Sequence, residues 1–162
     1  MMEALDQVKT PWRALFVGAG PMEGALENWA ARFGDRVKIM KGMAHSQVPA
    51  LLNAMDILCV PSQTTRQWRE QFGRVIVEGF ASGVPVVGSD SGEIPEVIGD
   101  AGRIVGQRDV NGWVDAIGEL VDNSALRADL LARGLDRARN TYAWPVIARR
   151  HLDFFEELTT QS

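Results

Sequence analysis

Five short apolar runs, separated by stretches with helical character, set the strongest constraint on the fold of this chain. They are short enough to be typical of buried strands, and they lie at residues 14–17, 37–40, 57–60, 85–88 and 103–105. Strands that alternate with helices form right-handed β-α-β units and a parallel sheet covered on both faces. The sequence therefore predicts an α/β fold, a Rossmann-like three-layer sandwich with a mainly parallel sheet.

The segments between and after these runs are predicted to be helices. One helix starts at Pro21, because proline is favoured at the first helical position, and it places Trp29 and Phe33 on one face. Ser124 is the expected N-cap of the penultimate helix. The other predicted helices cover residues 48–55, 74–82, 94–98, 110–121, 124–141 and 145–158.

Composition excludes several classes of protein. The chain has 162 residues, 46% of them hydrophobic and 23% charged, which predicts one domain (1–162) with a real core. A net charge of −4 argues against a nucleic-acid-binding protein, which normally carries a basic surface. Cys59 is the one cysteine, which precludes an internal disulfide and favours a reducing, cytoplasmic location. The sequence contains no predicted membrane span, signal peptide or metal-ligand cluster.

The predicted helix over residues 74–82 carries an unusual acid. Its side chains are apolar on nearly every side, and a helix of that kind belongs in an interior. Glu78 lies within it, and a buried carboxylate needs a partner or a cleft to face. In one interpretation Arg74 and Glu78 simply pair at i, i+4, and Glu70 is a solvated loop residue. In the other, Glu70 and Glu78 flank a helix N-terminus whose free N–H groups bind an anion.

The loops after the predicted strands favour the second interpretation. Parallel sheets bind ligands at the carboxyl ends of their strands, and the loops at residues 18–21, 42–47, 61–72 and 89–93 are expected at that edge. Gly73 at the start of the helix lets an anionic ligand approach the backbone closely. A nucleotide sugar, with phosphates in the middle and hydroxyl groups on either side, fits this layout.

Three other motifs give weaker signals. The glycine-rich run 18–24 follows a strand as a dinucleotide motif does, but its third glycine comes late and the next strand lacks the acid that would hold a ribose. Ser62 lacks the glycine-flanked pattern and the nearby histidine of a hydrolase nucleophile. The acidic run 89–93 is interpreted as a turn in which Asp90 caps the next short helix, rather than as a metal site.

Several motifs together resemble the donor-binding half of glycosyltransferase family 4 enzymes. They occur in order at residues 56–62 (DILCVPS), 70–73 (EQFG), 78–87 (EGFASGVPVV) and 91–96 (SGEIPE). Members of that family are retaining, metal-independent hexosyltransferases of the two-domain GT-B fold, and their donor is a nucleotide diphosphate sugar. The chain therefore resembles one half of a GT-B fold.

The resemblance implies a role for each candidate site residue. Glu70 resembles the first glutamate of the family's paired-glutamate motif, which holds donor-sugar hydroxyls near the reacting carbon, and it is the candidate catalytic residue. Glu78 resembles the second, which binds the ribose hydroxyls, and a carboxylate can accept from two hydroxyls at once. The remaining donor-binding candidates act through backbone groups: Phe72, Gly73, Arg74 and Val75 toward the sugar and diphosphate, and Gly42, Met43 and Ala44 toward the base.

The resemblance also implies what this chain lacks. Family members carry an N-terminal acceptor-binding domain, absent here, and an arginine and a lysine that neutralise the diphosphate; neither Lys9 nor Arg13 lies in the matching motif. The isolated chain is therefore expected to bind a nucleotide sugar weakly and to transfer nothing, with no cofactor or metal. The last helix resembles one that crosses to the missing domain, so its apolar face, with Trp144, His151 and Phe154, should be partly uncovered.

An alternative function stays open. The chain could be a non-catalytic nucleotide-binding or interaction module that pairs with a separate acceptor-binding subunit through that helix face. Both interpretations exclude nucleic acid as a partner. Both leave peripheral membrane contact open for the complete protein.

Overall fold

The computed structural model describes residues 1–160 and has the predicted α/β architecture. The strands are β1 (Ala14–Val17), β2 (Val37–Met40), β3 (Leu58–Val60), β4 (Val86–Ser89) and β5 (Gly102–Val105). The α-helices are α1 (Met2–Leu5), α2 (Glu23–Ala30), α3 (Val48–Leu52), α4 (Arg74–Ala81), α5 (Ile94–Ile98), α6 (Val110–Asp122), α7 (Ser124–Asn140) and α8 (Trp144–Thr160). Short 3-10 helices at Ala31–Arg36 and His45–Gln47 precede β2 and α3.

Every strand pairing in the described residues is parallel, which confirms that prediction, but the strands form two separate pieces. β1 pairs with β2, and β3, β4 and β5 pair in that order. The break in the sheet thus separates β1 and β2 from β3, β4 and β5.

Apolar clusters lie on both faces of the strands. On one face α4 packs on β3 and α7, with Ile76 and Phe80 almost completely buried. The approach is close, because a Cβ at Gly79 would lie 2.7 Å from a Leu58 methyl carbon. On the other face α6 covers Val87. A third cluster, which includes Leu5, Trp29, Val37 and Ile117, joins β1 and β2 to α6.

Helix α4 is buried on one side only, so the expectation of all-round burial is wrong. Ile76 and Phe80 face the core, whereas Val77 and Glu78 are half-buried and Ala81 is exposed. Apolar composition overstated burial because the open side is also lined by valine and alanine. Glu78 lies on that open side.

Two predicted helix boundaries and one predicted N-cap are wrong. α2 begins at Glu23 rather than Pro21, because the Glu23 N–H bonds to the Gly20 carbonyl at 3.0 Å and closes a turn; proline also suits the second position of such turns. Asn123, not Ser124, caps α7, accepting a hydrogen bond from the backbone N–H of Leu126 at 2.9 Å. α3 ends at Leu52, earlier than predicted.

Helix α8 contributes no buried residue, as the sequence predicted for its apolar face. Trp144, Phe154 and Phe155 are exposed. Across residues 1–160, no helix combines the length and hydropathy needed to cross a membrane.

Candidate functional site

The loops that follow β3 and β4 are tied together by hydrogen bonds at the carboxyl edge of the strands, as predicted. The fully buried hydroxyl of Ser89 donates to the carbonyl oxygen of Ser62 at 2.6 Å. The backbone N–H of Glu93 donates to the carbonyl oxygen of Glu70 at 3.2 Å. These contacts fix the backbone that carries the candidate catalytic glutamate.

Gly92 brings the two loops closer than any other residue type would allow. Its φ is +58°, in the left-handed region, and a Cβ added there would lie 1.9 Å from the carbonyl oxygen of Glu70. Beside it, the hydroxyl groups of Ser91 and Thr64 are 2.9 Å apart, and Ser91 is fully buried. The turn at residues 91–93 therefore packs directly against the backbone of Glu70 and holds it in place.

The loop after β5 adds a third support and corrects the predicted role of Asp90. The Asp90 carboxylate does not cap α5; it accepts a hydrogen bond from the backbone N–H of Gln107 at 2.9 Å. The side-chain oxygen of Gln107 in turn accepts from the N–H of Thr64. A sequence pattern could not reveal this pairing, because it joins two loops across the sheet.

The Glu70 carboxylate lies at the N-terminus of α4. One oxygen accepts from the backbone N–H of Gly73 at 3.1 Å, and the other lies 3.4 Å from the Ser62 hydroxyl, which donates to it. Gly73 has φ +75°, which this turn into the helix requires. Glu70 is thus a half-buried cap rather than a solvated loop residue, and a negative charge there is stabilised by the helix dipole.

The amides at the start of α4 are only partly free. The N–H of Gly73 is taken by Glu70, contrary to the expectation that it would be open to a ligand. Within residues 1–160, the N–H groups of Arg74 and Val75 donate no hydrogen bond. Phe72 is 42% exposed, and its ring packs edge-on against Tyr142 with centroids 5.6 Å apart. Two amides therefore remain available to an anion.

Glu78 both pairs with Arg74 and faces a cleft, so each interpretation of its role is partly correct. Its Oε1 lies 3.2 Å from Arg74 Nε, with which it forms an ion pair, and 4.0 Å from His45 Nδ1. The Glu78 side chain keeps 25% of its surface exposed and that of Arg74 keeps 76%. An ion pair this exposed contributes little to stability. Local pairing is thus present, yet the carboxylate still faces an opening.

That opening is a cleft of about 310 Å³ between α4 and the segment that follows β2. Its lining residues are His45, Val48, Pro49, Leu52, Asn53, Glu78, Ala81 and Ser82. Gly42 and Met43 immediately precede this segment, and the N–H of Ala44 is already bonded to the Gln47 side chain at 3.2 Å. A cavity of about 340 Å³ between β5 and α6 contains none of the predicted site residues.

Lys41, beside the loop at residues 42–44, pairs with two acids of α2. Its ammonium group pairs with Glu23 and, at 3.0 Å, with Glu27. Hydrogen bonds to Glu23 and then Glu27 raise the pKa of Lys41. The charge of Lys41 is therefore already neutralised within the chain.

Sequence reasoning missed three residues that shape this site: Ser62, Gly92 and His45. Ser62 was considered only as a nucleophile, whereas its hydroxyl donates to Glu70. Gly92 lies inside the recognised motif at residues 91–96, so a glycine before an acid was the available signal. His45 gave no signal, because its approach to Glu78 depends on how α3 packs against α4.

The family model and the related sequences that match this chain are all glycosyl transferases. The family described as "Glycosyl transferases group 1" matches residues 1–123. The chain is 30% identical over 162 residues to a phosphatidyl-myo-inositol mannosyltransferase from Mycobacterium leprae, covering 99% of this chain and 41% of that protein. The chain thus spans less than half the length of this relative.

Solved structures show the same fold. The C-terminal domain of a glycosyl transferase group 1 family protein from Francisella tularensis superposes with a TM-score of 0.76 at 25% identity, covering 88% of this chain and 77% of that one. HepE from Anabaena, solved in complex with UDP, superposes with a TM-score of 0.83 at 22% identity, covering 96% of this chain and 44% of that one. The fold is that of one half of a GT-B glycosyltransferase.

Proposed function

This chain belongs to the group 1 glycosyl transferases, and on that basis we propose that it is the donor-binding part of a retaining glycosyltransferase. The complete protein would transfer a sugar from a nucleotide diphosphate sugar to an acceptor hydroxyl, without a metal or other cofactor. The observation that carries the proposal is Glu78, a carboxylate that faces an open cleft one helical turn from two unbonded backbone amides.

The cleft beside Glu78 would take the nucleoside. Its carboxylate would accept hydrogen bonds from both ribose hydroxyls. His45 and Asn53 offer polar groups, and Pro49 an apolar surface, for the base between Gly42–Met43 and α3. A cavity of about 310 Å³ is at the lower end of the range for small-molecule sites.

The start of α4 would bind the diphosphate. The N–H groups of Arg74 and Val75 lack acceptors in the described chain, and a helix N-terminus favours negative charge. Ribose hydroxyls on Glu78 would compete with the guanidinium of Arg74 for the same oxygen. The mostly exposed Arg74 side chain could then turn to a phosphate oxygen and supply a charge-assisted bond.

Glu70 would contact the donor sugar. Its Oε1 already accepts from Gly73, but each carboxylate oxygen has a second lone pair for a sugar hydroxyl. The Ser62, Gly92 and Glu93 contacts hold it before any ligand arrives, and such preorganisation is the main source of electrostatic stabilisation in enzymes. Charge developing on the leaving diphosphate would be stabilised by the α4 amides.

The chain alone would bind weakly and would not transfer sugar. It spans less than half of its M. leprae relative, so the acceptor side of the cleft would come from the rest of the complete protein. HepE, a protein of the same fold, was solved with UDP, which is consistent with a nucleotide ligand and leaves its base open. Contacts from the acceptor side would then be missing in the transition state, and such contacts determine the rate.

Calorimetric titration of the 162-residue chain with UDP, GDP and ADP tests the nucleotide site. We expect one of the three to bind with a dissociation constant near or below a millimolar. Binding of none at millimolar concentration would refute the retained site and favour the alternative, a non-catalytic interaction module.

The Glu78→Gln variant separates ligand binding from local pairing. Losing a hydrogen bond to a charged group costs about 1.5–3 kcal/mol, so affinity for the preferred nucleotide should fall at least about tenfold. Glu96→Gln, which removes an exposed acid from α5, is the matched control and should leave affinity unchanged. Unchanged affinity in Glu78→Gln, with lower stability, would mean that the acid serves only to pair with Arg74.

A further inference from the structure

Trp68 lies two residues before Glu70, on the loop at residues 62–70 that leads from β3 toward α4. It is 50% exposed. Within residues 1–160, its indole N–H donates no hydrogen bond, no aromatic ring packs on its ring, and no guanidinium group lies over it. An aromatic side chain with a free face and a free N–H is typical of a site that binds a ligand or a partner.

The backbone that carries Trp68 is fixed by a hydrogen-bonded turn. The Thr65 hydroxyl accepts from the N–H groups of Gln67 at 3.3 Å and Trp68 at 3.0 Å. In return, the N–H of Thr65 donates to the carbonyl oxygen of Trp68 at 2.8 Å. Just upstream, the N–H of Thr64 donates to the side-chain oxygen of Gln107. The position of Trp68 is therefore set by contacts within this chain, before any ligand is present.

Trp68 lies within reach of a ligand held by Glu70. The Cα atoms of residues two apart are separated by at most about 7 Å, a distance comparable with the length of an indole side chain. The intervening Arg69 is directed toward the turn at residues 91–93, because its Cγ lies 2.9 Å from the position of a Cβ added at Gly92. A hexose bonded through its hydroxyl groups to Glu70 would therefore lie beside the indole ring.

We propose that Trp68 is a sugar-stacking residue, whose indole face packs on the apolar C–H face of the donor hexose that Glu70 would hold. This inference rests on the proposed function and adds a second side-chain contact to the sugar. The face of an aromatic ring carries partial negative charge, and the C–H groups of a pyranose ring carry partial positive charge. Ligand sites commonly combine an aromatic wall with a few polar groups that fix orientation. Trp68 and Glu70 would supply these two parts.

The charges that flank Trp68 have a different expected effect. Arg66 and Arg69 form no ion pair with a described residue. Any attraction between these arginines and the phosphates would strengthen binding of a nucleotide and of its sugar conjugate alike. Stacking on Trp68 would strengthen binding of the sugar conjugate alone. The contribution of the ring can therefore be measured separately from that of the charges.

Calorimetric titration of the 162-residue chain with three nucleotides and their hexose conjugates tests the proposal. The pairs are UDP and UDP-glucose, GDP and GDP-mannose, and ADP and ADP-glucose. Trp68→Leu should keep the affinity for the bound nucleotide within about twofold and weaken that for its conjugate roughly three- to tenfold. Trp68→Phe, which keeps a ring, should be intermediate. The control is Trp144→Leu, which removes another exposed tryptophan and should change neither affinity.

The outcomes distinguish this inference from the proposed function. Unchanged conjugate affinity in Trp68→Leu, with nucleotide still bound, would refute the stacking role and leave the nucleotide site intact. Binding of no nucleotide to the wild-type chain would refute the nucleotide site itself, and the stacking role with it.

The turn that holds Trp68 provides a second test. Thr65→Ala removes the hydroxyl that accepts from the N–H of Trp68 and should weaken conjugate binding at least about twofold without changing nucleotide binding. Thr65→Ser keeps the hydroxyl and should restore the wild-type affinity. The contacts of the Glu70 carboxylate with Ser62 and Gly73 do not involve this hydroxyl. Equal conjugate affinity in the two variants would show that the turn does not position the ring.

Fluorescence quenching by iodide tests whether the ring itself is covered. In a Trp144→Phe chain, Trp68 is the most exposed tryptophan of the described residues. Quenching should fall when the conjugate saturates the site and should change little with the nucleotide alone. Adding Trp68→Phe should abolish this difference. Quenching that is unchanged at saturating conjugate would overturn the proposal, because a stacked sugar must shield the indole from the solvent.

Discussion

Replacing Gly92 by alanine should lower the free energy of unfolding by about 3 kcal/mol, because the added methyl group meets the backbone of Glu70. Alanine in the left-handed region, where Gly92 lies with φ +58°, costs about 1 kcal/mol. Its Cβ would lie 1.9 Å from the Glu70 carbonyl oxygen, whereas ordinary contact is about 3.5 Å. Relieving the clash breaks the Glu93–Glu70 hydrogen bond and moves the Glu70 carboxylate off Gly73, at about 1 kcal/mol each.

Gly83→Ala is the matched control for the conformational cost alone. Gly83 also has a positive φ, +68°, but the nearest atom to an added Cβ is a Leu131 side-chain carbon at 3.7 Å. This is ordinary van der Waals contact. The control should therefore lose about 1 kcal/mol, and the difference of about 2 kcal/mol between the two variants measures the contact that fixes Glu70.

Urea unfolding followed by tryptophan fluorescence measures both losses. With a slope of about 2 kcal/mol per molar urea, the midpoint should fall by about 1.5 M for Gly92→Ala and about 0.5 M for Gly83→Ala. Gly92→Ala should also lose the gain in affinity that the donor sugar adds over the bare nucleotide, measured by calorimetry, and Gly83→Ala should keep it. Equal midpoint shifts would refute the reasoning, since the Glu70 backbone would then have moved without cost.

Three further changes test other parts of the structure. Asn123→Ala should lower the unfolding free energy by about 1 kcal/mol in the same assay, because it removes the α7 cap, whereas Ser124→Ala should have little effect. Glu70→Gln keeps an acceptor for Gly73 and should cost under about 1 kcal/mol of stability, while lowering the affinity for the nucleotide sugar more than that for the nucleotide; equal losses would argue against a sugar contact. Burial raises the pKa of the Cys59 thiol to about 12 from 9.0, so unfolding releases a proton above pH 9 and stability should fall by up to about 1.4 kcal/mol per pH unit between these values. Cys59→Ala should lack that component, and parallel pH profiles for the two chains would contradict it.

The order of strands and helices could be predicted because each element carries its own periodic signal. All five strands formed within one residue of their predicted bounds, and α5 matched its predicted range. The prediction errors occurred at positions where the local sequence fits two different structures equally well. Proline suits both a helix start and a turn, and Asn123 and Ser124 are both good caps. The sequence alone does not rank such alternatives; the neighbouring chain does.

The two acids of the candidate site could be predicted from the sequence, but the residues that hold them in place could not. Glu70 and Glu78 stood out because a carboxylate in or beside an apolar helix needs a partner or a cleft to face. The contacts that hold them, from Ser62, Gly92 and His45, join segments that are distant in sequence. No periodicity encodes such contacts. The Gly73 amide was wrongly expected to be open because the same glutamate that suggested a ligand also bonds to it.

The break in the sheet divides the backbone hydrogen bonding of this molecule into two networks. No hydrogen bond in the described structure joins residues 1–55 to residues 56–157. Apolar contacts, mainly of α1 with α6 and of α3 with α4, connect the two networks, together with the His45–Glu78 pair. Amide protons of β1 and β2 should therefore exchange through an opening that leaves β3, β4 and β5 intact.

The cleft lies between the two networks, with His45 and Asn53 on one side and Glu78 and Ser82 on the other. A nucleotide in it would touch both networks at once, and whatever binds only the closed form stabilises that form. Ligand would then slow amide exchange in β1 and β2, even though neither strand lines the cleft. The bound nucleotide would thus connect the two hydrogen-bonded networks that the protein itself leaves unconnected.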